Sequence, residues 1–450
     1  MHEHKPSSDQ RRHEPGNHWP GDAQRLERAL KKSISGEVRF DDGARALYAT
    51  DSSNYRQIPI GVVVPKTIED VVQTIALSRE YHAPVLSRGG GTSLAGQCCN
   101  VAVVLDFSKY LHRILELDPR RKFARIEPGL VLDDLRAAAE KHHLTFGPDP
   151  STHAYCTLGG MIGNNSCGVH SVMAGKTVDN IQELDVLTYD GLRMTVGRTG
   201  PGALDEIIRA GGRRGEIYRK LKDLRDRYAD LIRKKYPNIP RRVSGYNLDQ
   251  LLDENGFNVA RALVGTEGTC VTVLQAKVRL VHSPPFRVVL ALGYPDVYSA
   301  GDHVPEVLAQ EPLGLEGVDD VLARNMKKLG MHAQDLKLLP EGNGWLIAEF
   351  GGDSREEAEE KARRVMRRLK RFWGRSPTMK LYTDPYEEEK IWEIRESGLG
   401  ATARVPGDPV TWEGWEDSAV PPDKVGIYLR MLRKLFQKFG YACSLYGHFG

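Results

Sequence analysis

The sequence predicts an α+β chain built from two regions of different character. Up to about residue 283, short β-branched runs alternate with amphipathic stretches, and glycine-rich segments follow several of the predicted strands. From residue 284 to residue 450, strand-like segments at 288–292 and 345–350 alternate with helical segments at 297–310 and 354–371. This order indicates an antiparallel sheet with helices on one face.

The composition is that of an ordinary globular protein and excludes several functional classes. The 450 residues are enough for two or three domains. A count of 63 Lys and Arg against 60 Asp and Glu leaves a net charge of +3, which gives no support for a nucleic-acid partner. No apolar run approaches the roughly 20 residues that span a bilayer, so no transmembrane segment is expected. Residues 1–20, rich in His, Pro and charged side chains, are expected to form a disordered tail.

The cysteines indicate the chemical environment. Six are scattered along the chain without a C-x-x-C spacing. This pattern argues against a disulfide framework, a zinc site and an iron–sulfur cluster held within these residues. The cytoplasm is the expected location, with peripheral contact to the inner face of the membrane as an alternative.

One glycine-rich stretch, SRGGGTSLAGQ at residues 87–97, is a candidate for an anion-binding loop. It lies between apolar runs at 83–86 and 101–106 that predict strands. Three consecutive glycines leave backbone N–H groups free to surround a diphosphate, two hydroxyl side chains add donors, and Arg88 adds a positive charge. The stretch matches neither of the two commonest phosphate-binding motifs. An ordinary turn between strands is the alternative.

The other elements of the first region follow from periodicity and turn residues. Strands are predicted at 60–64, at 123–129, where the strand ends in a Pro-Gly turn, and at 178–190, and helices at 67–81, 133–142 and 204–236. Residues 157–168 carry four glycines and two adjacent asparagines, a composition too poor in helix formers for a stable helix. A loop around a large flat ligand is therefore predicted there.

Five motifs in order give the chain a family resemblance. They are SRGGGTSLAGQ, the turn Glu127-Pro128-Gly129, LGGMIGNNSCG at 158–168, SGYNLDQLL at 244–252 and LVGTEGTCV at 263–271. Together they resemble the FAD-linked oxidases of the vanillyl-alcohol oxidase and p-cresol methylhydroxylase fold. The branch is that of D-lactate dehydrogenases, the glycolate oxidase flavin subunit and D-2-hydroxyglutarate dehydrogenases. The resemblance implies a two-lobed FAD-binding domain over residues 21–283, with a helical insertion at about 204–236, and a substrate-binding cap domain over 284–450.

The resemblance is closest to the N-terminal part of long members that carry an additional iron–sulfur region. The terminal Gly447-His448-Phe449-Gly450 is similar to the first half of the family motif G-H-x-G-x-G-x-x-H, which binds a metal. The cap domain is therefore expected to be incomplete and the chain truncated. A divalent zinc or manganese ion is expected only in a complete chain, with His448 as one ligand. The electron acceptor or iron–sulfur region would be supplied elsewhere.

The resemblance implies non-covalent FAD, because the histidine that carries the flavin in some relatives is replaced by Thr92. The pyrophosphate would lie on the glycine-rich loop, and the isoalloxazine ring near residues 148–149. Arg242 and Tyr246 are further candidates for flavin contacts, with packing of their own loop as the alternative. The implied cofactor-binding residues are Ser87, Arg88, Gly89, Gly90, Gly91, Thr92, Ser93, Gln97, Pro148, Asp149, Leu158, Gly159, Gly160, Gly163, Asn164, Asn165, Gly168, Glu267, Gly268 and Val271.

Arg395 aligns with the family arginine that binds the substrate carboxylate, and a surface ion pair with Glu396 is the alternative. The resemblance implies oxidation of a small D-2-hydroxy acid to its 2-oxo acid by hydride transfer to flavin N5. No catalytic base is assigned. Two other functions remain open: a fragment that holds FAD without turnover, and an NADPH-dependent reductase on the same fold.

Overall fold

The computed structural model describes residues 19, 21–370, 376–403, 405–409, 411 and 418–450. They fold into two compact units. One comprises the chain up to Tyr110 together with Tyr189–Gly191, and the other comprises Leu111–Thr188 and Leu192–Gly450. The predicted tail at 1–20 lies outside the described residues except for Trp19. The predicted domain boundary near residue 283 stays a prediction.

A four-stranded sheet organises the first unit. Its elements are α1 (Ala23–Ser33), β1 (Glu37–Arg39), α2 (Asp42–Leu47), β2 (Gly61–Val64), α3 (Ile68–Glu80), β3 (Val85–Arg88) and β4 (Val103–Asp106). The strand order is β1-β2-β4-β3, with β2 and β3 parallel to β4 and β1 antiparallel to β2. Thr67 begins α3 as predicted, because its hydroxyl accepts from the Asp70 amide and the Asp70 carboxylate accepts from the Thr67 amide. The glycine-rich loop follows the carboxyl end of β3.

The second unit begins with a five-stranded antiparallel sheet of order β5-β6-β10-β8-β9. One core of fully buried side chains lies against it, including Leu135, Phe146, Leu184 and Val278. The elements of this part are β5 (Ile114–Asp118), β6 (Phe123–Ile126), α4 (Leu132–Glu140), β7 (Leu144–Thr145), α5 (Leu158–Asn164), α6 (Ser171–Ala174), β8 (Ile181–Leu187), β9 (Arg193–Val196), α7 (Pro201–Ala210), α8 (Gly212–Lys235), α9 (Val259–Leu263), β10 (Thr272–Arg279) and β11 (Val281–His282).

The helix α5 overturns the predicted loop at 157–168. Thr157 caps it by accepting a hydrogen bond from the Gly160 amide, and Asn165 ends it in the left-handed conformation. Met161 and Ile162 are buried in the core. Packing of these side chains offsets the poor helix propensity of the glycines, so the loop prediction was wrong.

The predicted helical segment at 204–236 is two helices, α7 and α8, separated at Gly211. Gly211 has a φ of +71°, in the region that favours glycine. The second helix ends at Lys235, just before Pro237, as expected. Within the part of the chain that the structure describes, no helix is both long and apolar enough to cross a membrane.

The rest of the second unit is built on a second antiparallel sheet of order β13-β14-β12-β15. The bounds of its elements are β12 (Phe286–Tyr294), α10 (Val297–Asp302), α11 (Val304–Leu308), β13 (Gly314–Asp319), α12 (Asp320–Leu329), β14 (Gly344–Gly352), α13 (Arg355–Leu369), β15 (Thr378–Tyr382), α14 (Pro385–Glu396), α15 (Gly398–Thr402) and α16 (Val425–Phe439). Strands β13 and β15 were missed by the sequence prediction, because glycines and charged residues interrupt them.

Helices cover both faces of this sheet, so the prediction of helices on one face was wrong. Leu346 and Phe350 of β14 belong to a core with α10, α13 and α16. Trp345 and Ile347 of the same strand belong to a second core with α12, α14 and α15. Every residue of β14 is buried. A continuous apolar run is typical of a strand covered on both sides.

Candidate active site

In the first unit, Arg88 joins the end of the glycine-rich loop to the segment that follows α2. Its Nη1 donates to the carbonyl oxygens of Tyr48 at 3.3 Å and Cys98 at 3.1 Å, and its Nη2 donates to that of Thr50 at 2.9 Å. These partners are neutral, so the described hydrogen bonds of Arg88 leave its positive charge uncompensated. A guanidinium within a loop of three consecutive glycines suits a diphosphate.

Gly91 shows why this loop requires glycine. Its φ is +67°, and a Cβ at this position would lie 2.6 Å from Arg88 Nη2. A side chain here would strain the backbone and displace the guanidinium. The cofactor-binding residues predicted in this unit all lie at the end of β3 or in the loop: Ser87, Arg88, Gly89, Gly90, Gly91, Thr92, Ser93 and Gln97.

The other predicted cofactor-binding residues lie in the second unit, where three segments meet. The Gly265 amide donates to the Ile162 carbonyl at 2.9 Å and the Glu267 amide to that of Gly163 at 3.0 Å. A Cβ at Gly168 would lie 1.9 Å from the carbonyl oxygen of Asp149. The structure thus places Gly163 next to Glu267 and Gly168 next to Asp149. The predicted residues of this unit all lie in the three segments that these contacts join: Pro148, Asp149, Leu158, Gly159, Gly160, Gly163, Asn164, Asn165, Gly168, Glu267, Gly268 and Val271.

Two buried amide side chains next to these segments are incompletely paired. Asn165 Oδ1 accepts from the Val178 amide at 3.0 Å, but its Nδ2 has no hydrogen-bond partner among the described residues. Asn247 Nδ2 donates to the Val264 carbonyl, whereas its Oδ1 is buried without a described partner. Unpaired buried polar atoms mark places where a ligand can supply the missing hydrogen bond. Together with the close-packed glycines, they fit a bound FAD.

The structure joins the two predicted substrate-side residues through a third that was not predicted. Arg395 Nε donates to Glu316 Oε2 at 2.6 Å, and His448 Nδ1 lies 2.6 Å from Glu316 Oε1. Glu316 is fully buried, and Arg395 is 8% exposed. The Arg395 guanidinium also lies over the ring of Tyr446 at 5.2 Å. Burial raises the pKa of Glu316, and Arg395 opposes this shift. We call Glu316, Arg395 and His448 the glutamate cluster.

The last residues of the chain are held against β13 beside this cluster. Gly317 and Gly447 exchange two backbone hydrogen bonds, at 2.8 and 3.0 Å, and the Gly450 amide donates to the Leu315 carbonyl at 3.0 Å. A Cβ at Gly317 would lie 2.2 Å from the ring of Phe449. The terminal segment therefore positions His448 through pairing with β13.

A second buried ionic group lies on the neighbouring strand. His170 Nε2 lies 2.7 Å from Glu349 Oε2, and His170 Nδ1 is hydrogen-bonded to Asp149. Burial opposes protonation of His170, but the two carboxylates raise its pKa to about 10. Burial would likewise raise the pKa values of Asp149 and Glu349, but attraction to His170 lowers both. We call these three residues the histidine cluster.

Sequence reasoning missed Glu316, Glu349 and His170. A signal was present for Glu349, since it interrupts the otherwise apolar strand at 344–352, whereas Glu316 lies in the strand at 314–319 that the sequence did not predict. A carboxylate buried in a sheet requires a partner. No comparable signal marked His170, which lies just before the short helix α6.

The SGYN segment lines a cavity of about 440 Å³ in the second unit. Its lining includes Arg241, Arg242, Tyr246 and Ser418. Arg242 donates to Asp249 Oδ1 at 2.6 Å and lies over the ring of Tyr236. Arg241 is one of the cations that oppose the rise in the pKa of the buried Glu316.

A group of side chains that could bind a metal ion lies apart from His448. Among the described residues, the group of three that comes within 4.8 Å is His332, Asp335 and Glu393, and it does not include His448. Lys390 Nζ contacts both carboxylate oxygens of Glu393, at 2.7 and 2.8 Å. The role of His448 as a metal ligand therefore stays a prediction.

Two family profiles match the chain. The FAD binding domain matches residues 59–197, and the C-terminal domain of FAD linked oxidases matches residues 283–450, together about two-thirds of the chain. The chain belongs to the FAD-linked oxidases. This membership confirms the sequence resemblance, and the mixed helix and sheet structure confirms the predicted fold class.

Two curated relatives and one solved structure illustrate the likeness of this FAD-linked oxidase to known proteins. D-2-hydroxyglutarate dehydrogenase of Pseudomonas putida is 30% identical over 94% of this chain and 43% of its own length. Glycolate oxidase subunit GlcD of Bacillus subtilis is 26% identical over 93% of this chain and 77% of its own length. A solved alkyldihydroxyacetonephosphate synthase has a TM-score of 0.58 at 17% identity, over 85% of this chain and 64% of its own, which shows the fold alone. The chain thus spans less than half the length of the D-2-hydroxyglutarate dehydrogenase.

Proposed function

We propose that this FAD-linked oxidase oxidises a small D-2-hydroxy acid to the corresponding 2-oxo acid. The names of its relatives support this substrate class. The observation that carries the proposal is the glutamate cluster, which places Arg395 and His448 on one buried carboxylate although they are far apart in the sequence. An oriented arginine beside a histidine suits a substrate with a carboxylate and an adjacent hydroxyl.

Arg395 is the proposed binding group for the substrate carboxylate. Glu316 holds it through Nε, so the plane of the guanidinium is fixed. Nη1 and Nη2 of Arg395 have no hydrogen-bond partner among the described residues. These two nitrogens can donate two parallel hydrogen bonds to the two oxygens of a carboxylate. His448 contacts Glu316 through Nδ1, which leaves Nε2 to exchange a proton or to bind a divalent metal. FAD, when bound, supplies the two-electron acceptor for the hydrogen on C2.

Two groups of residues, each taken within its own unit, are proposed to contact FAD: the glycine-rich loop in the first unit and the residues from Pro148 to Val271 identified above in the second. The neutral partners of Arg88, the tight packing at Gly168 and the unpaired Asn165 amide support this proposal. We propose a domain division near residue 283, which the limits of the matched family domains support. Electrons would leave the FAD for a separate carrier or an iron–sulfur region outside these residues.

Anaerobic flavin bleaching tests the function directly. Purified protein is reconstituted with FAD and mixed with D-2-hydroxyglutarate, D-lactate, glycolate or NADPH, and flavin absorbance is followed. Bleaching by at least one D-2-hydroxy acid is expected. Bleaching by NADPH alone would instead support a reductase, and no bleaching by any of them would overturn the proposal. Gly91→Val is expected to lose FAD retention, because Gly91 has a positive φ and no room for a Cβ.

A flavin-holding role without turnover is the second candidate. It is favoured by the position of His448, which lies outside the three-ligand group found among the described residues. A metal that binds substrate needs several protein ligands at once. Bleaching by a D-2-hydroxy acid in the presence of a chelator would reject this candidate. FAD binding without bleaching by any D-2-hydroxy acid, whether or not zinc or manganese is added, would support this second candidate.

We further propose a cytoplasmic location with peripheral contact to the membrane. All six cysteines are free, which is compatible with a reducing compartment. Helix α16 exposes Ile427, Met431, Leu435 and Phe439 along one side, and its charged side chains are all basic. Such a helix suits an anionic lipid surface. Co-sedimentation with anionic but not neutral vesicles is the expected result, and its absence would leave only the cytoplasmic location.

A further inference from the structure

Three side chains of the second unit have the chemistry and the spacing of metal ligands. His332, Asp335 and Glu393 each offer one ligand atom, and these atoms all lie within 4.8 Å of one another. His332 Nδ1 lies 3.1 Å from Asp335 Oδ2 and 3.9 Å from Glu393 Oε2. Bonds from zinc to nitrogen or oxygen measure about 2.0–2.2 Å, so two ligands of one zinc ion lie about 3–4 Å apart. Both distances from the imidazole fall in this range.

The backbone that carries these ligands is well anchored. His332 and Asp335 lie in the segment between α12 and β14, where the Leu336 amide donates to the His332 carbonyl at 2.9 Å and closes a turn. Glu393 lies near the end of α14, and its neighbour Ile394 is fully buried in the core beneath the helix. The ligands therefore come from two elements that the fold itself holds side by side.

The charges of the group favour a divalent cation. Lys390 Nζ donates to both carboxylate oxygens of Glu393, at 2.7 and 2.8 Å. Asp335 forms its ion pair with His332 and with no lysine or arginine among the described residues. With His332 neutral, the group therefore carries one more negative charge than positive charge. Lys390 contacts the carboxylate oxygens that an ion would use, so it acts as a competing cation on a flexible side chain.

Ser397 supplies the outer contact that metal-binding histidines usually have. Its Oγ lies 2.8 Å from His332 Nε2. A hydroxyl can accept a hydrogen bond as well as donate one, so Ser397 can accept from Nε2–H and leave the lone pair of Nδ1 free. In that tautomer, Nδ1 and the two carboxylates present only acceptor atoms to one another. A metal ion requires this deprotonated set of ligands.

We propose that His332, Asp335 and Glu393 bind one divalent transition-metal ion, for which zinc is the best match. The imidazole favours zinc over magnesium and calcium, which prefer ligands that are all oxygen. The three side chains are 19%, 24% and 34% exposed, so an ion can enter from solvent and water can complete its coordination. The ion would join α14, which carries Arg395, to the segment after α12. The site does not depend on the proposed reaction.

Zinc binding is measured by calorimetry on FAD-reconstituted protein from which metals have been removed with a chelator. The unmodified chain should bind one zinc ion per chain, and both His332→Gln and Asp335→Asn should lose this binding. Ser397→Ala should weaken it by about 10-fold, as expected for an outer contact of a metal ligand. Lys390→Met should strengthen it, because the competing cation is removed. Zinc should raise the unfolding temperature of the unmodified chain but not that of His332→Gln.

Two histidines outside the group provide matched controls. His282 Nε2 lies 2.9 Å from Asp353 Oδ1, but this pair is not part of the three-ligand group. His448 belongs to the terminal motif. His282→Gln and His448→Gln should both keep the zinc affinity of the unmodified chain. All these variants keep the six cysteines and the histidines of residues 1–20, so differences in zinc affinity report the changed side chain. FAD content and unfolding without zinc establish that each variant is folded.

The inference would be overturned if the unmodified chain bound no zinc, or if a folded His332→Gln or Asp335→Asn bound it with unchanged affinity. Loss of zinc in His448→Gln but not in His332→Gln would assign the metal to the terminal segment and reject this group. An unchanged or lower affinity in Lys390→Met would contradict the competition for Glu393. The proposed reaction is judged by flavin bleaching, so none of these results decides it.

Discussion

The two buried ionic clusters of the second unit have opposite arrangements. In the histidine cluster, the cation His170 lies between two carboxylates. In the glutamate cluster, the carboxylate Glu316 lies between two basic side chains. Glu316 pairs with Ile347 and Glu349 pairs with Gly314 on adjacent strands, so both glutamates point to the same face of the sheet.

The clusters also differ in the polar atoms that they leave unpaired. Both ring nitrogens of His170 are bonded, and Glu349 additionally accepts from the Trp392 indole at 3.2 Å. The glutamate cluster leaves the Arg395 fork and His448 Nε2 without a hydrogen-bond partner among the described residues. The closed cluster therefore stabilises the fold by joining residues 149 and 170 to β14, whereas the open cluster is suited to bind a ligand.

The largest expected effect is on stability, from removing the central cation of the closed cluster. His170→Leu would leave Asp149 and Glu349 buried without their shared partner and should destabilise the protein by about 3–5 kcal/mol. Thermal and denaturant unfolding measure this loss. In the double variant His170→Leu with Asp149→Asn, part of the stability should return, because one of the two buried negative charges is removed. Equal stability of His170→Leu and the unmodified protein would contradict the role of the closed cluster.

Deprotonation of His170 at high pH should also lower the stability of the protein, by a smaller amount and gradually as the pH rises. The pKa of His170 is raised from 6.5 to about 10 in the folded protein, so its contribution is fully present below about pH 6.5 and is lost as the pH rises through 10. The unfolding temperature of the unmodified protein should therefore fall over this range relative to His170→Gln, measured in parallel. Identical pH profiles for the two proteins would show that the cluster does not titrate in this way.

In the open cluster, the main expected effect is on catalysis. Arg395→Ala should lower kcat/KM for D-2-hydroxy acids by about 3 kcal/mol of transition-state stabilisation, because the substrate carboxylate loses its charged partner. FAD content should stay normal. Arg395→Lys keeps the charge but not the fork, so it should recover only part of the activity. An unchanged kcat/KM in Arg395→Ala would exclude the binding role.

A smaller effect is expected from displacing the terminal segment that positions His448. Gly317→Ala would place a Cβ 2.2 Å from the Phe449 ring and should cost about 1–3 kcal/mol by overpacking. Gly202→Ala is the matched control, because nothing lies within 4 Å of a Cβ there. Unfolding temperatures of the two variants are compared. A Gly317→Ala protein as stable as Gly202→Ala would indicate that the segment is not held against β13.

Several features of this FAD-linked oxidase follow from the sequence because they depend on neighbouring residues. Thr67 and Asp70 are close enough in the chain to cap α3 without help from the rest of the fold. The glycine-rich loop follows its strand as predicted, because consecutive glycines weaken a strand and favour a turn. The five ordered motifs were sufficient to indicate the family.

Contacts between distant residues required the tertiary structure. Glu316 meets Arg395 across 79 positions and His448 across 132, and these contacts depend on where β13, α14 and the terminal segment pack. The glycines of α5 predict a loop by propensity alone, yet burial of Met161 and Ile162 makes them helical. Local preferences therefore determined the loop and the caps, whereas the partners of Glu316 were decided by long-range packing, which no single sequence window contains.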